Sequence, residues 1–308
     1  MIMINNRKAF TIVELLIVVT IIALLLGILL PSISMVRTKA KETAQKAQLA
    51  TIGMALETFK QDYGDYPPST LTTRSSYYCG AQKLVEALVG WDLMGFNPNS
   101  AWYADGMDSA GSSVVYDSTS TPNLQARKGP YLELATASVF KLDKLFNTTS
   151  SFASDNRFVL CDVFKVRKTS DNDSSGKPIL AGAPILYYKA NTSSKVFDPN
   201  NTTVTIANRI YNYEDNKALV DLGKLTANGA TGALHPLGYI VSSDYPVFYN
   251  DKYTNSGLIT PTYGASVGYG IRDPKITTNV WPYKPDSYIL ISAGPDGYYG
   301  TADDIHNY

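Results

Sequence analysis

The sequence predicts an α+β fold in which one long amino-terminal helix packs on a small antiparallel sheet with large loop insertions. Three observations lead there. An almost wholly apolar run, FTIVELLIVVTIIALLLGILL, occupies Phe10 to Leu30. A proline-free stretch of good helix formers, dominated by Ala, Lys, Glu and Gln, continues from Ser32 to about Asp62. Beyond it, short β-branched and aromatic runs alternate with Gly-, Ser- and Asn-rich segments.

The apolar run comes first. A hydrocarbon core about 30 Å thick needs about 20 apolar residues of helix, so the run is long enough to cross it and too long for an ordinary signal-peptide core. Glu14 is its single charge. An acid at that depth is costly, marks a functional position by default and wants a positive partner. Arg7 and Lys8 precede the run while Arg37, Lys39 and Lys41 follow it, so charge alone does not orient the span. Pro31 lacks an N–H and its ring meets the Gly27 carbonyl, which predicts a kinked or melted turn from Gly27 to Pro31.

Past Pro31 the helix is expected to turn amphipathic. Leu49, Ile52, Leu56, Phe59 and Tyr63 recur every three or four residues and form one stripe that a sheet must cover. Small Ala40, Ala44 and Ala47, set among Lys39, Lys41, Glu42 and Lys46, suit close helix packing. From Phe10 to Asp62 the helix would run about 80 Å. Gly64 suits a carboxyl-terminal cap, and Pro67 and Pro68 cannot continue the helix.

The remainder reads as one polar, Tyr-rich domain. Lys83 to Gly95 has the spacing of a short amphipathic helix, and Ala104 to Ala126 reads as an exposed loop. Phe158 to Val166 and Pro184 to Ala190 read as two strands around a polar turn. Thr202 to Tyr213 is a further candidate strand, Ser287 to Ser292 a final one, and Gly264 to Gly270 a set of turns. With 27 basic against 27 acidic residues, the chain lacks the basic excess of a nucleic-acid binder.

Catalysis finds no support in the residue pattern. The 2 histidines, His235 and His306, sit in no Ser-His-Asp, Cys-His or metalloprotease spacing, so an enzyme is not expected. The 2 cysteines leave two readings open, a Cys79–Cys161 bridge or a simply buried Cys161 thiol. A bridge across so long a loop would contribute about 3 to 5 kcal/mol. Asn147-Thr148-Thr149 and Asn191-Thr192-Ser193 fit the glycosylation pattern, which arises often by chance in such loops. The tail is more specific. Asp296, Asp303 and Asp304 gather in a loop bent by Gly294, Gly297 and Gly300, with Ser292 just before it. Carboxylates mixed with backbone carbonyls suit Ca2+, which takes six to eight oxygen ligands. The competing reading is a Pro-Asp-Gly β-turn followed by a solvated acidic tail.

Lys8-Ala9-Phe10-Thr11-Ile12-Val13-Glu14-Leu15-Leu16, followed by an apolar run ending at Pro31, resembles the amino-terminal signature of type IV pilins and type II secretion pseudopilins. The resemblance implies that a prepilin peptidase removes the leader, residues 1–9, and that the new first residue, Phe10, is N-methylated. Ala9 stands where the family normally has Gly, so slower cleavage is expected. Glu14 becomes the fifth residue, where the family keeps a glutamate, and Pro31 falls at its helix-softening proline. A cationic amino terminus would then meet Glu14 of a neighbouring subunit once both leave water.

The same resemblance implies a lollipop-shaped subunit: residues 10–30 in the inner membrane, 31–62 the amphipathic half of the helix, and 63–308 a head in the periplasm. The subunit would polymerise with copies of itself and other pilin-like subunits at an inner-membrane assembly platform, forming a pilus or a secretion pseudopilus. Gly64-Asp65-Tyr66-Pro67 is similar to the turn that follows the long helix in pseudopilins. The strand pair at 158–166 and 184–190 resembles, weakly, an enlarged version of the pseudopilin strand pair. The tail is similar to the calcium loop of major pseudopilins, with Asp296, Asp303 and Asp304 as ligands and Ser292 as a contributor. The rival readings are a non-polymerising membrane-anchored, calcium-stabilised binding module and an anchored enzyme whose site forms only in three dimensions.

Overall fold

The computed structural model of the protein describes residues 11–74, 76–134, 137–146, 157–165, 167–197, 208–212, 214–222, 271, 273, 275–276, 281–297, 299 and 303–308. The chain divides into two compact units, Met1–Thr43 and Ala44–Tyr308, and the boundary falls inside helix α1 (Ile12–Tyr63). The α+β class read from the sequence is the class observed, consistent with a pilin-like fold.

In the first unit, every residue of α1 whose burial is described from Thr11 to Thr38 is exposed, Ile12 and Leu16 among the most apolar of them. The helix is long and apolar enough to cross a membrane. It stays helical through Pro31, where a melted turn was one expectation. Proline removes one N–H, and the turns on either side hold the helix. Thr20 and Thr38 donate their hydroxyls back to the carbonyls of Leu16 and Ser34, at 2.8 and 3.2 Å, so these polar groups are satisfied within the helix.

In the second unit, α1 buries Leu49, Ile52, Ala55, Leu56 and Phe59. These are the predicted stripe, except that Tyr63 is half-buried and Ala55 joins it. Burying a side chain such as Leu56 contributes about 1.5 to 3 kcal/mol. Gly64 ends the helix as expected, at φ +84°, its N–H donating to the Lys60 carbonyl at 2.7 Å.

The stripe packs on a three-stranded antiparallel sheet ordered β5 (Leu186–Lys189), β6 (Tyr288–Ser292), β7 (Ile305–His306). Leu186 pairs with Ile291 and Ser292 with Ile305. Successive side chains on a strand point to opposite faces. Tyr187, Tyr288 and Leu290 therefore join the cluster containing Leu49, Ile52 and Leu56, while Leu186, Tyr188, Ile289 and Ile291 join a second cluster on the other face. Both faces are covered, which is why β5 and β6 read as continuous apolar runs rather than alternating ones.

Helix α2 (Gly80–Leu88) is buried along its whole length, polar Gln82, Lys83 and Glu86 included. The sequence placed this helix at Lys83 to Gly95. It begins earlier because the Gln82 side chain caps it, accepting from the Cys79 N–H at 2.8 Å, and it stops at Gly90, whose φ is +105°. The segment from 91 to 131 folds over the end of α1. Phe96, Trp102 and Tyr131 make edge contacts with Phe59. Arg127, its side chain almost fully buried, forks onto Asp92 at 2.7 and 2.8 Å. Much of 104–126 is exposed as expected, but Ala104, Val115 and Tyr116 are buried and α3 (Thr121–Gln125) forms within it.

The strand pairing differs from the sequence reading. β2 (Phe158–Leu160) pairs with β1 (Val139–Lys141), not with β5. The intervening polar turn is itself a hairpin, β3 (Arg167–Asn172) with β4 (Pro178–Ala181). Among the described residues, the two predicted strands share backbone pairing only at the Cys161–Pro184 bridge and an Ile185 N–H to Leu160 carbonyl bond at 2.7 Å. β5, buried on both faces, takes the edge of the main sheet beside the central β6 instead, and β7 was not anticipated from the sequence. Of the strand read at Thr202 to Tyr213, residues 208–212 form none; 202–207 and 213 lie outside the described residues, as do 264–270 and Asn147. Among the described residues the remaining helices are α4 (Leu142–Leu145) and α5 (Glu214–Leu222). No disulfide joins Cys79 and Cys161. Both are buried thiols in one core cluster, and burial pushes the Cys79 thiol up to about 12.

Candidate functional site

The amino-terminal site is built from helix-capping chemistry. Thr11 is the residue before α1 and Glu14 is the third residue within it. The Thr11 N–H and hydroxyl donate to Glu14 Oε2 at 2.9 and 2.8 Å, and the Glu14 N–H donates to the Thr11 hydroxyl at 3.2 Å. This is a capping box, in which each partner satisfies an N–H that the first turn leaves open. All the carboxylate's bonds fall on Oε2, and Oε1 takes no hydrogen bond among the described residues. Glu14 can therefore hold its own helix start and still face a cation. Sequence reading assigned the residue a partner in a neighbour and missed this local one, although Thr-x-x-Glu is its visible signal. Ala9 and Phe10 lie outside the described residues.

The carboxyl-terminal loop brings two of its predicted acids together. The Asp296 N–H donates to Asp303 Oδ2 at 3.0 Å. Gly294 sits at φ +66°, where a Cβ would stand 2.2 Å from the Asp303 carbonyl oxygen, so only glycine lets that carbonyl approach. Ser292 is fully buried, and its hydroxyl donates to Asp162 Oδ2 at 3.2 Å while accepting from the Gly294 N–H at 3.3 Å. It thus shapes the loop from beneath. Among the described residues no cluster of three or more His, Cys, Asp or Glu side chains is placed to hold a metal. The acids present fit a hard cation only as a mixed set, Asp303 offering a carboxylate and a carbonyl oxygen at one turn.

A buried polar seam lies elsewhere in the second unit, and sequence reading did not single it out. Asp215 at the start of α5 accepts from the Ser69 hydroxyl, whose oxygen accepts from the Lys189 N–H at 3.0 Å. Next to it, Asn216 accepts from the Ala81 N–H at 2.8 Å and donates to the Tyr187 carbonyl at 2.7 Å, tying α5 to α2 and β5. Lys83 donates to the Thr70 carbonyl. Burial pushes Asp215 up to about 7, against the Ser69 bond and the Lys83 charge, and pushes Lys83 down to about 8.

A pH dependence follows from Asp215. Its carboxyl titrates near 3.8 when exposed, so between that value and about 7 the folded chain keeps a proton that the unfolded chain has shed. The resulting stabilisation is complete below 3.8 and lost as pH rises through about 7. The melting temperature of the wild type relative to Asp215→Asn should therefore fall across this window in a pH series. A constant difference would show that Asp215 does not hold the proton.

The family model for the prokaryotic N-terminal methylation motif matches residues 4–30. No curated protein and no solved structure matches the chain. The motif marks pilin-like structural proteins that a prepilin peptidase processes for assembly into filaments, and the apolar helix behind it suits a membrane anchor. The matched residues include Ala9, Phe10 and Glu14 and end where the exposed apolar stretch meets Pro31. The chain therefore carries the leader signature of type IV pilins and pseudopilins, and its amino-terminal segment is that of a pilin-like precursor.

Proposed function

We propose that the protein is a structural subunit of a type IV pilus-like or type II secretion pseudopilus filament. The methylation motif at residues 4–30, set directly against an exposed apolar helix, carries this reading. The leader is removed before Phe10, and the mature chain waits as a single-pass inner-membrane protein with the residues after Pro31 outside the membrane. It then joins copies of itself and other pilin-like subunits at the assembly platform. Its role is structural, as in the pilin-like proteins that the methylation motif marks. Calcium held by Asp296, Asp303 and Asp304, together with backbone carbonyls, braces the carboxyl-terminal loop.

Mass spectrometry of the amino terminus on protein from its native host tests this. The expected terminus is N-methyl-Phe10. An intact leader would leave an uncleaved anchor, and with it the non-polymerising binding module, as the better description.

A further inference from the structure

We propose that Asp162 is a positioning residue that couples the carboxyl-terminal acidic loop to the docked part of helix α1. Asp162 is 1% exposed and lies between β2 and β3. Its Oδ1 accepts from the N–H groups of Phe164 and Ala183 at 3.1 and 3.2 Å, and its Oδ2 accepts from the Ser292 hydroxyl at 3.2 Å. Its own N–H donates to the Ala183 carbonyl at 2.9 Å. The residues on either side of it hold the helix. Gln48 Nε2 donates to the Cys161 carbonyl, and the Val163 N–H donates to Gln45 Oε1, both at 3.0 Å.

Ser292 extends this network to the tail loop, because its oxygen also accepts from the N–H of Gly294, the residue against which Asp303 folds. A line of contacts thus runs from Asp303, packed against Gly294, through the hydrogen bonds of Ser292 and Asp162 to the chain neighbours Cys161 and Val163, which hold Gln48 and Gln45. Each step is buried or close-packed. A Cβ on Gly182 would stand 2.1 Å from the Asp162 carbonyl oxygen, so this segment cannot drift without breaking contacts. The far ends of the two amides, Gln45 Nε2 and Gln48 Oε1, are buried and have no hydrogen-bond partner among the described residues. Segment 161–163 therefore supplies the polar tie for both. Loosening it leaves these amides wholly unsatisfied, which makes the docked helix sensitive to the state of the loop.

The test uses the full-length protein in detergent micelles, first without metal, and reads residue-resolved amide exchange. Ser292→Ala cuts the line but spares the N–H groups that Asp162 holds, so the variant should fold. The Val163 amide should exchange about tenfold faster in it, while the Tyr131 amide, bonded to the Leu88 carbonyl away from this line, keeps its wild-type rate. Asp303→Ala, which removes the acceptor of the Asp296 N–H, should also speed Val163 on its own and add nothing on top of Ser292→Ala. An unchanged Val163 rate, equal acceleration at Tyr131 or simple additivity would each overturn the coupling. A last arm rests on the calcium reading: adding calcium should slow Val163 in the wild type and not in Ser292→Ala. A loop that binds no calcium, seen as no melting shift, would overturn that reading alone, because the metal-free arms decide the coupling.

Discussion

Glu14→Ala should leave the protein inserted and folded while abolishing or sharply reducing its incorporation into filaments. Leader removal creates a cationic amino group at the apolar end of the helix, and withdrawing it from water is costly unless a carboxylate meets it. Glu14 has Oε2 committed to Thr11 and Oε1 without a hydrogen bond among the described residues, so one residue can serve both its own helix and a neighbour. Glu14→Gln separates these roles, since Gln at the third helical position preserves a capping box but carries no charge. Both variants should fail in assembly if charge pairing is the requirement. If Gln assembles like the wild type while Ala does not, the cap is what assembly needs. Normal filament yield from both, measured in sheared fractions by electron microscopy, would show that packing of the apolar helix suffices.

Calcium is expected to raise the melting temperature of the detergent-solubilised protein. A ligand that binds only the native state stabilises it by about 2.7 kcal/mol at a hundredfold excess over Kd, which for a chain of this size is about 4 °C. Asp296→Ala and Asp303→Ala should each remove most of the increment. Asp303→Ala also loses the bond to the Asp296 N–H, so its metal-free melting temperature should fall too. The increment within each variant is therefore the quantity to compare. Magnesium should substitute poorly, because it demands tight octahedral geometry and holds its waters. Metal-free protein that shows no shift on titration would return the loop to an ordinary β-turn with an acidic tail.

Together the two experiments separate the readings that the sequence left open. A subunit that binds calcium and still needs Glu14 to assemble is a filament protein with a braced head domain. One that binds calcium and never polymerises is an anchored binding module.

The long helix, its apolar and amphipathic halves, its end at Gly64 and the leader signature were all legible in the sequence. Each depends on residues near one another in the chain: a run long enough to span lipid, a stripe at helical spacing, a glycine free to take φ +84°. The Glu14 capping box was equally local, and reading it needed only attention to Thr11. Tertiary structure alone decided the rest. Phe158–Leu160 and Leu186–Lys189 both look like strands, but which strand each pairs with depends on which faces the whole chain can cover. β5 went to β6, about a hundred residues away in sequence, because both strands bury both faces, and no local pattern encodes that choice. The buried polar groups follow the same rule. Nothing local in the sequence singles out Lys83, Asp162 and Asp215, because only packing withdraws them from water and obliges each to find partners far along the chain.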